Sequence, residues 1–123
     1  MKPVAVLLLL SLLLPIPVSA EENGVRAFTP CRACHSLDPA EHGLPGPNLS
    51  GVIGRPIGGE VGFDYSPVLR KARDDGLRWD AKRLEAFLAD PAAMFPGLWM
   101  SIRGIDAAER QALVRFLEDP ASR

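Results

Sequence analysis

The sequence predicts an all-α protein with three to five short helices. Apolar residues recur at helical spacing in several segments, and capping residues, glycines and prolines bound these segments. The stretch from Ser36 to Gly62 is rich in glycine and proline and follows no regular period. Such a long irregular stretch is unusual in a small domain unless it has a function. No segment shows the alternation that is typical of a β-strand.

Residues 1–20 have the features of a secretory signal peptide. Lys2 precedes an apolar run from Val4 to Leu14, and Val18-Ser19-Ala20 places small residues at a cleavage site. A retained membrane anchor is the alternative, but the apolar run is too short to span a bilayer. We therefore expect cleavage after Ala20, a mature domain over residues 21–123, and a periplasmic protein without stable membrane insertion.

The first predicted helix begins near Glu21 and Glu22, because acidic side chains suit a helix N-terminus. Gly24 and Phe28 lie one turn apart on the same face. Pro30 disfavours a helical conformation at the residue before it, so we expect the helix to end or distort there.

Two helices are predicted in the middle of the chain. The first runs from about Pro67 to Asp75, with Ser66 as its N-cap and proline at its first position, and Gly76 ends it. The second begins after the N-cap Asp80 and is expected to end at Pro91.

The chain from Ala92 to Gly104 is predicted to be irregular, and the last helix follows it. Asp106 is its expected N-cap, with Glu109 three places further on as in a capping box, and Pro120 closes the helix. Its buried stripe is formed by apolar residues at helical spacing: Leu113, Phe116 and Leu117.

The charge balance limits the partners that this chain can bind. The formal net charge is −1, and removal of residues 1–20 takes away one of 14 basic side chains and no acidic one, leaving −2. Nucleic acid is therefore not an expected partner. The mature chain keeps Lys71 and Lys82 as its only lysines. Because it has no lysine-rich docking face, we expect its reaction rates with partners to depend weakly on ionic strength.

The two cysteines of the chain stand in the motif Cys31-Arg32-Ala33-Cys34-His35. This C-x-x-C-H pattern is typical of a covalently attached c-type haem. The spacing lets both thiols reach the two vinyl groups on one porphyrin edge, and the adjacent histidine can bind the iron. Two alternatives remain: a disulfide between the cysteines, and a zinc site that also uses His35 and His42.

An iron held by His35 needs a second axial ligand on its other side. The candidates in the mature chain are Met94, Met100 and His42. Met100 is favoured because it follows Pro96-Gly97 in a segment without a predicted helix, whereas Met94 has the setting of a packing residue. A methionine sulfur raises the reduction potential relative to a second imidazole.

Further motifs occur in a fixed order along the chain: Gly46-Pro47-Asn48-Leu49, Gly54-Arg55, Phe63-Asp64-Tyr65-Ser66, Trp79, Asp90-Pro91, Phe95-Pro96-Gly97-Leu98-Trp99-Met100 and Gly104-Ile105. Together with the C-x-x-C-H motif, this series resembles the class I cytochromes c, which are small mono-haem electron carriers. The resemblance extends from about Gly24 to Leu117, nearly the whole mature chain.

The resemblance implies a cytochrome c fold, in which the first and last helices cross and short helices surround one covalent haem. It implies that Cys31 and Cys34 hold haem c, and that His35 and Met100 ligate its iron. It further implies that the Pro47 carbonyl accepts a hydrogen bond from the His35 ring. Three more residues are implied at a haem propionate: Arg55, Tyr65 and Trp79.

Three positions depart from the family pattern. Leu98 and Trp99 stand where the family commonly has threonine and lysine, and His42 falls one place before a histidine of the mitochondrial members. These differences suggest a bacterial relative with its own partner. Trp99 either forms an apolar contact beside the haem or fills space next to Met100, and the sequence favours neither.

These observations predict a periplasmic one-electron carrier, not an enzyme, that works as a monomer. Its expected partners are a redox donor and acceptor, such as a dehydrogenase, a cytochrome complex or a terminal oxidase. Two alternatives remain open. One is an electron-transfer subunit bound permanently to a periplasmic dehydrogenase. The other is a peroxidase-like enzyme, in which Met100 leaves the iron and opens a position for peroxide. Such an enzyme needs an acid–base group beside the iron, and His42 is the only residue that suggests one.

Overall fold

The computed structural model describes residues 1–3 and 12–119. Within these ranges it contains one 3₁₀-helix (Thr29–Ala33) and five α-helices: α1 (Ala20–Phe28), α2 (Pro67–Asp74), α3 (Ala81–Ala89), α4 (Pro91–Met94) and α5 (Ala107–Glu118). The described residues form no β-strand, and one isolated bridge joins Pro56 to Arg78. The prediction of an all-α fold is confirmed.

Helix α1 begins one residue earlier than its acidic start suggests. Ser19 is the N-cap, and it forms a reciprocal capping box with Glu22 in which each side chain accepts a backbone N–H at 3.1 Å. The α-helix ends at Phe28, and the chain continues as the 3₁₀-helix, which contains Pro30. The predicted distortion before the cysteines is therefore present.

Helices α2 and α3 lie close to their predicted positions. Ser66 occupies the N-cap position of α2, but its buried hydroxyl has no hydrogen-bond partner in the described part of the chain. The helix ends one residue before the predicted Asp75, and Gly76 follows with a φ of 76°. The Asp80 carboxylate caps α3 by accepting the Arg83 N–H at 2.7 Å.

The prediction for the segment after Pro91 is wrong at its start. Pro91 does not merely end α3 but begins α4, so the residues from Ala92 to Met94 are helical rather than irregular. The physical reason is that proline fits the first position of a helix, where no intrahelical N–H is needed. Asp90 completes this start, because its carboxylate accepts the Ala93 N–H at 3.1 Å.

Helix α5 has half of the predicted capping box. The Asp106 carboxylate accepts the Glu109 N–H at 3.1 Å, but no return bond from the Glu109 side chain is among the hydrogen bonds of the described residues. The helix ends at Glu118, and Pro120, which was expected to close it, lies outside the described residues. The predicted stripe of Leu113, Phe116 and Leu117 is buried, and Val114 is buried with it.

Helices α1 and α5 pack directly against each other, as predicted. A Cβ on Gly24 would lie 2.6 Å from the Phe116 Cβ, so glycine permits this close approach. The rings of Phe28 and Phe116 lie 5.7 Å apart between centroids. The first and last helices thus form one packed core, in which Phe28 and Leu113 are fully buried.

The irregular segment is tied to the start of α3 by backbone hydrogen bonds. Gly54, with a φ of 92°, donates its N–H to the Trp79 carbonyl at 2.6 Å. Trp79 in turn donates to the Arg55 carbonyl at 2.9 Å. These bonds bring Arg55 and Trp79 together although they are far apart in the chain.

Residues 12–19 do not join the core. Leu13 and Ile16 are almost fully exposed, while much of the apolar run from Val4 to Leu14 lies outside the described residues. Of the helices that the structure describes, none has the length and apolarity to cross a bilayer.

Candidate functional site

The 3₁₀-helix presents the two cysteines and the histidine in one tight turn. The Cys31 carbonyl accepts the N–H groups of Cys34 at 3.1 Å and of His35 at 2.9 Å. Both cysteines are free thiols, half-buried at Cys31 and exposed at Cys34, so the alternative of a disulfide is not realised. Burial raises the pKa of the Cys31 thiol, which keeps it protonated near neutral pH.

The His35 ring is buried and held in one orientation. Its Nδ1 lies 2.7 Å from the Pro47 carbonyl oxygen, which as an acceptor requires the ring proton on Nδ1. Gly46 packs on the same ring, because a Cβ there would lie only 2.4 Å from His35 Cε1. The Gly46 N–H is bonded to the Cys34 carbonyl at 2.8 Å. The expected bond from His35 to Pro47 is thus present, and the glycine makes room for it.

The remaining nitrogen of His35 is suited to a metal. Burial lowers the pKa of His35, and the Pro47 carbonyl and the charge of Glu60 only partly oppose this effect. The ring is therefore neutral near pH 7. Because Nδ1 carries the proton, Nε2 keeps a lone pair, and no hydrogen bond to Nε2 occurs among the described residues. A neutral imidazole with one free nitrogen is the form that binds iron.

His42 does not join His35 and the cysteines. Its Nδ1 lies 2.9 Å from Glu60 Oε1, and its side chain is 61% exposed. In the part of the chain that the structure describes, no three side chains of the metal-binding types come together to hold an ion. The zinc alternative, which needs His42 beside the cysteines, therefore finds no support.

Arg55 lies inside the irregular segment, and one of its hydrogen-bond donors has no acceptor among the described residues. Its two terminal nitrogens donate to the carbonyls of Ser50 at 3.1 Å and Asn48 at 2.7 Å. Its Nε is buried and has no acceptor among the described residues. A buried donor without a partner is costly in a native protein, so this guanidinium fits an anionic group such as a haem propionate.

Tyr65 and Trp79 also have unused donors. The buried Tyr65 hydroxyl accepts the Glu60 N–H at 3.1 Å, which leaves its own proton free to donate. Burial raises the pKa of Tyr65, so the phenol stays neutral. The Trp79 ring packs 5.1 Å from Phe87, and its indole N–H has no bond among those of the described side chains. Both residues can donate to a carboxylate.

Met100 lies in the segment between α4 and α5 and packs, partly buried, against the hydrophobic core. Met94 is also partly buried, at the last position of α4. Trp99 is 60% exposed. A side chain that is mostly in solvent does not fill space beside Met100, so the structure decides against that reading of Trp99.

Sequence reasoning missed the polar residues that support this segment. Asn48 is buried, and its side-chain amide donates to the carbonyls of Asp38 at 2.6 Å and Glu41 at 3.0 Å. The Glu60 carboxylate accepts the Asn48 N–H at 2.9 Å. No periodic pattern marks these residues. The only signal for Asn48 was its place in the Gly46-Pro47-Asn48-Leu49 motif.

Comparison with known proteins gives a consistent group of relatives. No family model matches the chain. The cytochrome c2 of Agrobacterium tumefaciens is 38% identical over 101 residues, which are 81% of this chain and 91% of that protein. Cytochrome c2 iso-2 of Magnetospirillum fulvum is 39% identical over 93 residues, or 75% of this chain and 93% of the relative.

The fold leads to the same group. The solved structure of cytochrome c2 from Rhodospirillum centenum superimposes with a TM-score of 0.75 and 31% sequence identity. The superposition covers 80% of this chain and 95% of that one.

Proposed function

This chain belongs to the class I c-type cytochromes, and we propose on that premise that it is a periplasmic one-electron carrier with one covalent haem c. The haem, when bound, exchanges single electrons as its iron changes between the ferric and ferrous states. One observation carries the proposal. His35 comes directly after the second of two free cysteines, and its buried ring is neutral. Its Nδ1–H donates to the Pro47 carbonyl, which leaves Nε2 free to bind iron.

Four side chains hold the group in this proposal. Cys31 and Cys34 would form the two thioether links, and His35 and Met100 would ligate the iron. Met100 is preferred to Met94 because it lies on a loop, whereas Met94 ends α4 as one of its four helical residues. Loop backbone is free to turn a side chain towards a metal, and Met100 packs against the apolar core. Apolar surroundings and sulfur ligation together favour the ferrous state.

The propionates are held by donors that the protein leaves unsatisfied. Arg55 supplies its buried Nε–H, and Tyr65 and Trp79 supply a hydroxyl and an indole N–H. The backbone bonds between Arg55 and Trp79 keep two of these donors next to each other. Charge-assisted hydrogen bonds from a guanidinium are stronger than neutral ones, so Arg55 contributes most to this anchoring.

The periplasmic location rests on residues 1–20 as a cleaved signal peptide. Exposed side chains such as Leu13 and Ile16 support this, since they add nothing to the core. Cleavage after Ala20 also removes the Ser19 cap of α1, at a cost of about 0.5–2 kcal/mol. The first turn then relies on Glu21 and Glu22. Mass spectrometry of the exported protein tests the cleavage site, and a chain that retains Ser19 contradicts it.

The test of the cofactor is expression in a bacterium that attaches haem c in its periplasm. We expect a coloured protein with a pyridine haemochrome spectrum of two thioether links. A folded but colourless product contradicts the proposal. Met100→Leu is expected to remove the long-wavelength absorption band of sulfur-ligated ferric haem and to lower the reduction potential. Met94→Leu is the matched control and should leave both unchanged.

We propose a free carrier with redox-protein partners rather than an enzyme. A peroxidase-like reaction needs a second histidine as its acid–base group, and His42 is the one other histidine of the chain. His42 is paired with the Glu60 carboxyl group instead. Peroxide turnover measured at steady state should therefore be negligible. Gel filtration of the protein from its native source should give a monomer, and co-elution with a dehydrogenase would instead favour a permanent subunit.

A further inference from the structure

The peptide group between Pro47 and Asn48 is hydrogen-bonded at both ends. Its carbonyl oxygen accepts His35 Nδ1–H at 2.7 Å. Its N–H donates to Glu60 Oε2 at 2.9 Å. The other carboxylate oxygen of Glu60, Oε1, lies 2.9 Å from His42 Nδ1. One continuous chain of hydrogen bonds therefore joins a solvent-exposed histidine to the buried ring of His35.

The exposure of these groups changes steadily along the chain. His42 is 61% exposed and Glu60 is 12% exposed at the side chain, while Asn48 and His35 are buried. The His42 ring is thus open to solvent, and the Glu60 carboxyl group is largely shielded from it. Electrostatic effects are stronger in such shielded surroundings than in water.

A carboxylate that accepts a hydrogen bond from the N–H of a peptide group polarises the whole peptide group. Hydrogen bonds in a chain strengthen one another, and a bond to an ionised acceptor is stronger than a neutral one. The Pro47 oxygen therefore becomes a better acceptor, and the His35 ring becomes more electron-rich. A partner of this kind fixes the orientation of a ligating histidine and raises its basicity. The effect favours the ferric state over the ferrous state.

We propose that Glu60 is a positioning residue for His35, acting through the Pro47–Asn48 peptide group, and that His42 adjusts this action by gaining or losing a proton. The inference rests on the proposed function, because it concerns the histidine that ligates iron there. Neither Glu60 nor His42 touches the haem in this account.

The other charged and titratable groups near Glu60 and His42 do not polarise the Pro47–Asn48 peptide group in place of Glu60. The Tyr65 hydroxyl accepts the Glu60 backbone N–H and stays neutral because burial raises its pKa. The Glu60 charge also acts on His35, where it opposes the larger lowering of the pKa by burial. The remaining neighbours are two arginines that act on Tyr65 and two acidic residues whose backbone carbonyls hold Asn48: Arg55, Arg73, Asp38 and Glu41.

The direction of the pH effect follows from the charges. When His42 is protonated, its positive charge offsets the Glu60 carboxylate, and the reduction potential is higher. When His42 loses its proton, Glu60 acts at full strength and the potential is lower. The reduction potential should therefore fall with rising pH as far as His42 loses its proton.

The experiment compares two charge-neutralising variants of the haem-loaded protein. Glu60→Gln keeps an oxygen that can accept the Asn48 N–H but removes the charge. Glu41→Gln makes the same change in charge at an exposed side chain that has no hydrogen bond in the described structure. We expect the equilibrium constant for reduction to rise roughly three- to tenfold in Glu60→Gln, where tenfold corresponds to about 59 mV. The Glu41→Gln variant should change much less.

A second variant tests the part played by His42. His42→Gln alters an exposed side chain, so the fold tolerates it, and it should reduce the fall of the reduction potential with rising pH. The amide proton of Asn48 and the Nδ1 proton of His35 give an independent readout by NMR of the reduced protein. Both should shift upfield in Glu60→Gln and remain in place in Glu41→Gln.

The outcomes separate this inference from the function on which it rests. A colourless product, or one without sulfur ligation, overturns the proposed function itself. An intact haem spectrum with equal potentials in Glu60→Gln and Glu41→Gln overturns the role of Glu60. An unchanged pH profile in His42→Gln overturns the role of His42. If Glu60→Gln does not fold, the His42→Gln profile decides the question alone.

Discussion

Replacement of Gly46 by alanine tests how the loop supports the axial histidine. An alanine Cβ would lie 2.4 Å from His35 Cε1 and 2.7 Å from Nδ1, about 1 Å inside a normal carbon–carbon contact. The Gly46 N–H is bonded to the Cys34 carbonyl, and the His35 ring is buried. Ring and loop therefore cannot both keep their positions, and the bond from His35 to Pro47 must lengthen.

The expected loss of stability has two parts. Forcing a methyl group into a packed site costs about 1–3 kcal/mol. Losing the hydrogen bond from His35 to Pro47 costs about 0.5–1.5 kcal/mol more. A total of about 1.5–4.5 kcal/mol is a large part of the stability of a small domain, which is about 5–15 kcal/mol.

The assay is denaturant unfolding of the haem-loaded protein, followed by circular dichroism and by the visible spectrum. Gly43→Ala is the control, because Gly43 has a φ of 82° and no atom within 4 Å of the added Cβ. That change costs only backbone strain of about 1–2 kcal/mol and should leave the spectrum of the iron unchanged. A Gly46→Ala variant that is no less stable than Gly43→Ala and has the same spectrum would contradict a tight contact between Gly46 and the His35 ring.

Three further predictions follow from other contacts. Gly24→Ala should destabilise the protein by about 1–2 kcal/mol, since its Cβ meets Phe116 at 2.6 Å and the clash exceeds the gain of about 1 kcal/mol in helix propensity. The exposed Asn23→Ala in the same helix should stabilise slightly, and equal gains in both variants would exclude a tight contact between α1 and α5. Trp99→Ala should change the unfolding free energy by less than about 0.5 kcal/mol because the ring is 60% exposed; a core-sized loss would show that the ring packs inside. Burial lowers the pKa of His35 below its ordinary 6.5, so in the haem-free chain, where Nε2 can take up a proton, its contribution to stability is complete above pH 6.5 and decreases as the pH falls below it. Denaturation midpoints between about pH 7.5 and pH 5 measure this effect, and a midpoint that rises on acidification contradicts it.

The positions of most helices could be predicted because their signals are local. Asp80 and Asp106 cap the helices that follow them, and Pro67 begins α2, since a cap needs only backbone groups two or three residues away. The pairing of α1 with α5 had no such local signal and was implied only by the resemblance to the class I cytochromes c. The same local reasoning failed at Pro91, because proline both ends one helix and begins the next.

The sequence by itself determined the helical fold class, the thiol–thiol–imidazole motif and the order of the motifs that resemble the family. These depend on spacings of a few residues, which the chain carries regardless of how it folds. Only the tertiary structure decided that Gly46 touches the His35 ring, that Trp99 faces solvent, and that Glu60 joins His42 to the peptide group behind His35. The reason is that such contacts join residues eleven or more positions apart, and a loop without periodicity carries no local signal for them.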